Sequence, residues 1–310
     1  MRSRMHHYLP VWYLAGFTPS GRTNGRLWVH DLRADGRVWK AAPQTVARER
    51  DLYTVASGPT EPDWFERELA KYDDEHANLV RTVCQSRQLT TESLDDLLGF
   101  LALTYTRSPG MWAGMGHHIQ QQTGLPVEKA VDDPENWRWL SEWLGQPLSA
   151  IHTVVMDHAG GEARTQLFHV CLIDVLRDLM RPLLKSRHWS LCVARDYVVC
   201  SSSPLGIAWP VGHPSSRRPK LGDEGATLTF PLDRHTALVS GLGDHCSVRH
   251  VCRSAVAQIN SQTLRALETH AMWPPFAFAP AKQFYCMGND GLLQVSGADS
   301  TLVGEPIRDS

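Results

Sequence analysis

The chain has 310 residues, of which 42% are hydrophobic and 21% are charged, and its formal net charge is −2. This composition is ordinary for a globular protein, and the weak negative charge is not the overall basic charge on which tight nonspecific nucleic-acid binding depends. No apolar run reaches the roughly 18 residues that a membrane-spanning helix needs.

The N-terminal segment is unusually aromatic for the end of a chain, since termini are normally polar and frayed. Two adjacent histidines, His6 and His7, precede Tyr8, Trp12 and Phe17. We therefore expect this segment to pack into the body of the protein. A histidine anchored there can keep one tautomer and a shifted pKa, as catalysis or metal ligation requires.

The next element is a predicted β-hairpin over residues 26–41. Apolar and polar residues alternate on both of its arms, and Asp35-Gly36 between them favours a tight turn. Helical spacing of apolar residues, together with capping signals, then predicts four helices. They cover residues 64–83, 91–105, 111–122 and 166–185.

The C-terminal half has the character of strands. Alternating and β-branched residues predict strands that are short and bounded by turns, followed by one amphipathic helix. The predicted elements are strands 189–194 and 197–200, paired with each other, strands 226–232 and 236–240, and a final helix over residues 248–270.

These elements predict an α+β fold with a helical middle, a small N-terminal β-hairpin and a C-terminal antiparallel sheet. At 310 residues, the chain is long enough for one large domain. We expect a single α+β domain over residues 1–275, followed by a C-terminal extension over residues 276–310.

Several short motifs follow one another in a fixed order over residues 6–275. They are His7-Tyr8-x-Pro10, Leu27-Trp28-Val29, Asp51-Leu52-Tyr53, Phe100-Leu101-Ala102 ahead of Arg107, and Pro231-Leu232. In this order they resemble the bacterial family numbered 4238 among the domains of unknown function. Because the activity of that family is not established, the resemblance implies a set of site residues rather than a reaction.

The resemblance implies that five polar residues gather in one place: His7, Tyr53, Asp73, Arg107 and Asn260. Relatives tend to have Glu at the position of Asp73. They also tend to have a Ser-Asp-Asn-Pro turn, which here is Ser201-Ser202-Ser203-Pro204. Hydroxyl groups therefore replace a carboxylate and an amide, and Ser202 and Ser203 are expected to contact the substrate.

These residue types suit acid–base catalysis. His7 would act as general base or acid, and Asp73 would orient it, because a carboxylate behind an imidazole fixes its tautomer. The planar guanidinium of Arg107 would bind a phosphate or carboxylate group. Asn260 would complete the catalytic set, and Tyr53 would add a neutral hydrogen bond to the substrate.

The same residues allow a purely structural alternative. Asp73 and Arg107 would then form a buried ion pair between two helices, and His7 would cap a nearby backbone group. In that case Tyr53 would be a core aromatic residue and Asn260 an ordinary exposed helix residue.

The sequence also allows two other kinds of site. Asp73 and His76 form a carboxylate-x-x-His pair on one helical face, as in di-metal helical proteins. The other candidate metal ligands are His6, His7, His117, His118, His169 and Asp174, with Gln166 at the position of a missing second carboxylate. A nucleophile at Cys200 or Ser201–Ser203 is the remaining alternative, although the chain has no G-x-S-x-G motif.

The preferred functional prediction is a cytoplasmic hydrolase acting on an anionic substrate, either a phosphodiester or a carboxylate. Its partner would be an anionic small molecule or a nucleic acid, the latter favoured by the basic run Arg217-Arg218-x-Lys220, although such a run is more often a solvated loop. The alternatives are a metal-dependent enzyme acting on a small metabolite and a noncatalytic binding protein with a degenerate site.

The cellular setting and the cofactors are constrained by two sequence features. The seven cysteines are odd in number and lack CxxC spacing, which predicts reduced thiols in the cytoplasm. Neither a G-x-G-x-x-G motif nor a P-loop occurs, so the sequence supports no nucleotide cofactor of those kinds and assigns no other.

Overall fold

The structure, a computed structural model, describes residues 5–32, 36–50, 52, 64–108, 168–210, 213–215, 217–265, 276–287 and 293–296, with the single positions 135, 138, 141, 147 and 149. The predicted helix over residues 111–122, Tyr53 and the last residues of the predicted helix 248–270 lie outside these positions.

Within the described residues the fold is α+β, as predicted. The helices are α1 (Val11–Ala15), α2 (Trp64–Ser86), α3 (Thr91–Thr106), α4 (Phe168–Lys185) and α5 (Arg253–Arg265). The strands of the N-terminal part are β1 (Met5–His7), β2 (Leu27–Asp31), β3 (Val38–Ala41) and β4 (Arg48–Arg50). The remaining strands are β5 (Trp189–Ala194), β6 (Cys200–Ser201), β7 (Gly206–Ala208), β8 (Thr227–Asp233), β9 (Thr236–Ser240), β10 (Ser247–Val251), β11 (Phe276–Ala279), β12 (Phe284–Met287) and β13 (Leu293–Ser296).

The described strands form two larger sheets and two ribbons. The five-stranded sheet has the order β10-β5-β9-β8-β7 and is antiparallel except for the β10–β5 pair. The four-stranded sheet has the order β3-β2-β11-β6 and is antiparallel. It contains the predicted N-terminal hairpin as β2 and β3. The ribbons are β1–β4 and β12–β13.

The predicted pairing of residues 189–194 with residues 197–200 is wrong. β5 pairs with β9 and β10, and β6 pairs with β11. The reason lies in the connecting segment, where Val198 N–H donates to Arg234 O at 2.9 Å and Val199 N–H donates to the Asn260 side chain. These bonds use the backbone donors that a hairpin with β5 would need.

The predicted helix over residues 248–270 begins later, at Arg253. Val248 and Val251 fit helical spacing, but they belong to β10, which adds to β5 in parallel over five residues. Their β-branched side chains favour this extended conformation. The chain after residue 275 also enters the fold, because β11 lies between β2 and β6. The domain boundary at residue 275 stays a prediction.

The N-terminal segment packs into the core, as predicted. Tyr13 and Phe17 on and after α1 are at most 1% exposed, and the Tyr13 ring stacks on Phe230 of β8 at 5.9 Å. Phe100 of α3 meets Tyr13 edge-on at 5.6 Å, and the Tyr13 hydroxyl donates to Pro231 O at 2.6 Å. This aromatic cluster ties the N-terminus to α3 and to the five-stranded sheet.

Close packing at Gly206 joins β7 to α5. A Cβ at this position would clash with the Thr229 hydroxyl and would lie 2.8 Å from the backbone C and O of Gln262. Since the backbone of Gln262 cannot move without disturbing α5, Gly206→Ala is expected to lower the free energy of unfolding by about 1–3 kcal/mol. Urea unfolding measures this change, and an unchanged midpoint would contradict the close packing.

Candidate functional site

Two histidines occupy neighbouring positions on β1 and project to opposite sides of the β1–β4 ribbon. His6 lies across from Glu49, and His7 lies across from Arg48. Because side chains alternate along a strand, His6 is buried whereas His7 is half-buried. His7 is therefore the imidazole that a ligand from solvent can reach.

The backbone holds His7 in one orientation. Its Nε2 lies 3.2 Å from the carbonyl oxygen of Gln44. A carbonyl oxygen only accepts hydrogen bonds, so Nε2 carries the proton and Nδ1 presents a lone pair. Burial lowers the pKa of His7, and the positive charges of Arg48 and Arg107 lower it further against the Gln44 bond and the charge of Asp73. The neutral imidazole is thus favoured near pH 7.

Asp73 of α2 and Arg107 at the end of α3 form a buried ion pair. Arg107 Nη1 lies 2.9 Å from Asp73 Oδ1 and 3.0 Å from Oδ2, with the arginine side chain fully buried and 16% of the aspartate side chain exposed. The position of Arg107 at the C-terminus of a helix favours a positive charge. Burial raises the pKa of Asp73, and the attraction of Arg107 offsets only part of that rise.

Three predicted site residues thus come together, with different tasks from those expected. Asp73 pairs with Arg107, while the Gln44 carbonyl orients His7. Arg107 is inaccessible to solvent, so its guanidinium acts on the surroundings of His7 through its charge. This geometry is the interhelical ion pair of the structural alternative, placed beside an accessible imidazole.

His6, predicted from sequence only as a candidate metal ligand, lies on the buried side of the same ribbon. Its Nε2 lies 3.1 Å from Glu66 Oε2, and its side chain is 1% exposed. Glu49 faces it across the ribbon, and burial raises the pKa of the Glu49 carboxyl. Strand alternation is the signal that separates His6 from His7, but a strand of three residues is too short to be recognised from sequence.

His76 is held by aromatic packing and a backbone contact, not by the carboxylate and imidazole groups that a metal site needs. Its ring stacks on Tyr72 at 4.2 Å and on Phe100 at 5.7 Å, and Nδ1 lies 2.8 Å from Tyr72 O. In the part of the chain that the structure describes, no group of three His, Cys, Asp or Glu side chains could hold a metal ion. The other predicted ligands His117, His118 and Gln166 and the side chains of His169 and Asp174 lie outside that part, so the metal alternative stays a prediction.

Asn260 is bonded to the backbone through its whole carboxamide. Its Oδ1 accepts from Val199 N–H at 3.0 Å, and its Nδ2 donates to Tyr197 O at 3.0 Å and to Tyr285 O at 2.8 Å. The side chain is fully buried, so the expectation of an exposed helix residue is wrong. This geometry supports a structural task, in which Asn260 fastens α5 to β12 and to the segment before β6.

The serine turn after β6 is buried and bonded internally. Ser201 Oγ donates to Ser203 O at 2.6 Å, and Ser202 exchanges backbone and side-chain bonds with Phe276. Burial raises the pKa of the neighbouring Cys200 thiol to about 12. Neither the hydroxyls nor the thiol is therefore placed as an accessible, activated nucleophile.

The basic run at residues 217–220 is fixed by a bidentate ion pair. The guanidinium of Arg217 donates to the two Asp223 carboxylate oxygens at 2.6 Å and 2.8 Å and lies over the Trp209 ring. Part of the positive charge of this run is therefore neutralised within the loop, which supports a solvated loop.

Comparison with known families extends over most of the chain. Residues 5–269 match the model of the family described as protein of unknown function (DUF4238). The chain belongs to this family. The DUF4238 match includes His7, Asp73, Arg107 and Asn260, and it confirms the resemblance drawn from the ordered motifs. Neither a search of curated proteins nor a search of solved structures found a matching chain.

Among the described residues, each helix is too short or too polar to span a bilayer.

Proposed function

We propose that this DUF4238 protein is a hydrolase of the bacterial cytoplasm that acts on an anionic substrate with His7 as its general base. The observation that carries the proposal is the hydrogen bond from His7 Nε2 to the Gln44 carbonyl. This bond directs the lone pair of a half-buried imidazole to Nδ1. The lowered pKa of His7 keeps that lone pair available near neutral pH.

Arg48 is the residue best placed to hold the anionic group. It is exposed and lies directly across the ribbon from His7, and paired residues of this kind have Cβ atoms about 4.5–5.5 Å apart. Its guanidinium can bind two oxygens of a phosphate or carboxylate at once. Arg107 adds a buried positive charge in the same region, and its task differs from the direct binding expected from sequence.

The proposed chemistry is proton transfer at Nδ1 of His7. The imidazole takes a proton from water as the water oxygen attacks the phosphorus or carbonyl carbon of the substrate. The bond to the leaving oxygen then breaks, and the imidazolium returns the proton to that oxygen. The negative charge of Asp73 favours the transient imidazolium, since it raises the pKa of His7.

The test is hydrolysis of bis(p-nitrophenyl) phosphate and of mono-p-nitrophenyl succinate, an anionic phosphodiester and an anionic ester. Wild-type kcat/KM, which reports groups of the free enzyme, is expected to rise with pH to a plateau, with a midpoint below 6.5 because burial lowers the pKa of the base. His7→Gln should lower kcat by about 10²–10⁴-fold. His250→Gln, at an exposed position on β10, is the matched control and should keep wild-type activity.

Equal activity of wild type and His7→Gln would overturn the assignment of the base. Absence of turnover on both substrates would favour noncatalytic binding, the second candidate function. The complete burial of Arg107 fits a degenerate site, because the guanidinium expected from sequence to hold the anionic group forms an ion pair inside the protein instead.

The cytoplasmic setting rests on the cysteines. In the described part of the chain, Cys84, Cys192, Cys200, Cys246, Cys252 and Cys286 all carry free thiols. Thiols persist in reducing compartments, whereas exported proteins tend to form disulfides.

A further inference from the structure

A half-open cleft of about 790 Å³ lies beside α1, α2 and the turn between β8 and β9. Its volume is in the range of roughly 300–1,000 Å³ that is typical of small-molecule sites. The wall formed by α2 comes from one face of the helix, since its residues recur at intervals of three and four. These residues are Ala77, Val80, Arg81, Cys84 and Gln85.

The described wall of the cleft is positively charged although the protein as a whole is not. It contains the three arginines Arg22, Arg81 and Arg234 and one carboxylate, Asp233, which leaves two net positive charges. The Asp233 carboxylate is already engaged within the protein, because its Oδ1 accepts from His235 N–H at 2.7 Å and from the Thr236 hydroxyl at 2.6 Å. A positive cleft on a chain of net charge −2 concentrates anions.

The backbone of the loop that carries Arg22 is preorganised by hydrogen bonds within the protein. Arg22 N–H donates to Thr18 Oγ1 at 3.2 Å, and Arg234 Nη1 donates to Thr18 O at 2.8 Å. Gly21 adopts φ +67° in this loop, a conformation that favours glycine. These bonds fix the main chain of the loop, so its backbone needs no reordering when a ligand binds.

The cleft also has an apolar surface, which is formed by Trp12, Val80 and Leu232. The Trp12 ring packs against Phe100 with the centroids 5.2 Å apart, so the indole has a fixed position. The indole therefore presents a rigid aromatic surface beside the charged wall of the cleft.

We propose that this cleft binds a small molecule that carries a phosphate group on an apolar or aromatic body. The dianionic phosphate matches the two net positive charges, and the guanidinium groups of Arg22 and Arg81 bind its oxygens. The apolar body covers Trp12, Val80 and Leu232. This inference goes beyond the proposed hydrolase activity and does not depend on it, because His7 is not among the residues of the cleft wall.

The experiment is calorimetric titration of the full chain with phenyl phosphate and with inorganic phosphate at low salt. Phenyl phosphate is expected to bind about tenfold or more tightly than inorganic phosphate, since its ring buries apolar surface. Arg22→Gln and Arg81→Gln should each weaken phenyl phosphate binding by about tenfold or more, since each removes a charge-assisted hydrogen bond. Both arginines are exposed, so their loss should leave thermal unfolding unchanged.

Two control variants separate this proposal from its neighbours. Arg265→Gln removes an exposed arginine outside the cleft wall and should bind phenyl phosphate as the wild type does. His7→Gln should also bind normally, so the cleft stands even if His7 proves not to be a base. No saturable binding, wild-type affinity in both cleft variants, or equal affinity for the two probes would overturn the proposal.

Discussion

Asp73→Asn is expected to lower the free energy of unfolding by about 3 kcal/mol. The substitution leaves the guanidinium of Arg107 fully buried without the carboxylate that lies 2.9 Å away. Breaking a buried ion pair on one side costs roughly 3–5 kcal/mol. We expect the lower end, because burial raises the pKa of Asp73 and its neutral replacement therefore avoids part of the cost of burying a charge.

Removing both partners of this pair should cost far less than removing one. Asp73→Leu combined with Arg107→Met replaces the ions with apolar side chains, and such replacements are often neutral or stabilising. We expect urea unfolding of the double variant to differ from wild type by about 1 kcal/mol or less. The matched control is Asp95→Asn, whose partly exposed pairs with Arg181 and Lys185 should contribute below about 1 kcal/mol.

The double variant also separates the two interpretations of the pair. A stable double variant that loses hydrolytic activity would assign the charges of Asp73 and Arg107 to the chemistry of His7. A stable and active one would show that the pair serves the packing of α2 on α3. A double variant as unstable as Asp73→Asn would contradict the ion-pair argument itself.

Local patterns in the sequence predict much of this fold. The Asp35-Gly36 turn predicts the β2–β3 hairpin, and helical spacing predicts α2 and α3. These signals operate over a few residues, where backbone geometry repeats. Pairing of β5 with β9 and β10 depends on segments brought together by the core, and local patterns therefore predict the neighbouring segment 197–200 as its partner instead.

The sequence predicts which residues form the candidate site, but it does not predict the contacts that they make. His7, Asp73 and Arg107 come together, but the orienting group of His7 is a backbone carbonyl, which no side-chain pattern reveals. Arg48 reaches His7 through the register of a two-stranded ribbon, a long-range property. The arginines of the cleft are likewise far apart along the chain, and they line the same cleft only because α2 packs beside the β8–β9 turn.

Asn260→Ala is expected to lower the free energy of unfolding by about 4 kcal/mol. It leaves one backbone N–H, at Val199, and two carbonyl groups, at Tyr197 and Tyr285, without the carboxamide that bonds them. Each buried polar group that loses its partner costs roughly 1–3 kcal/mol. Urea unfolding measures the loss, and Gln258→Ala, a half-buried position on the same helix, should change stability by about 0.5 kcal/mol or less.

The isosteric variant Asn260→Asp tests whether these bonds, rather than side-chain volume, hold the segment. At neutral pH its carboxylate would face the Tyr197 and Tyr285 carbonyl oxygens, which accept but do not donate. We therefore expect a loss of stability at least as large as for alanine. If Asn260 were instead a catalytic residue, both variants would lose activity with unfolding unchanged, because a group that serves the reaction is not required to hold α5 against β12.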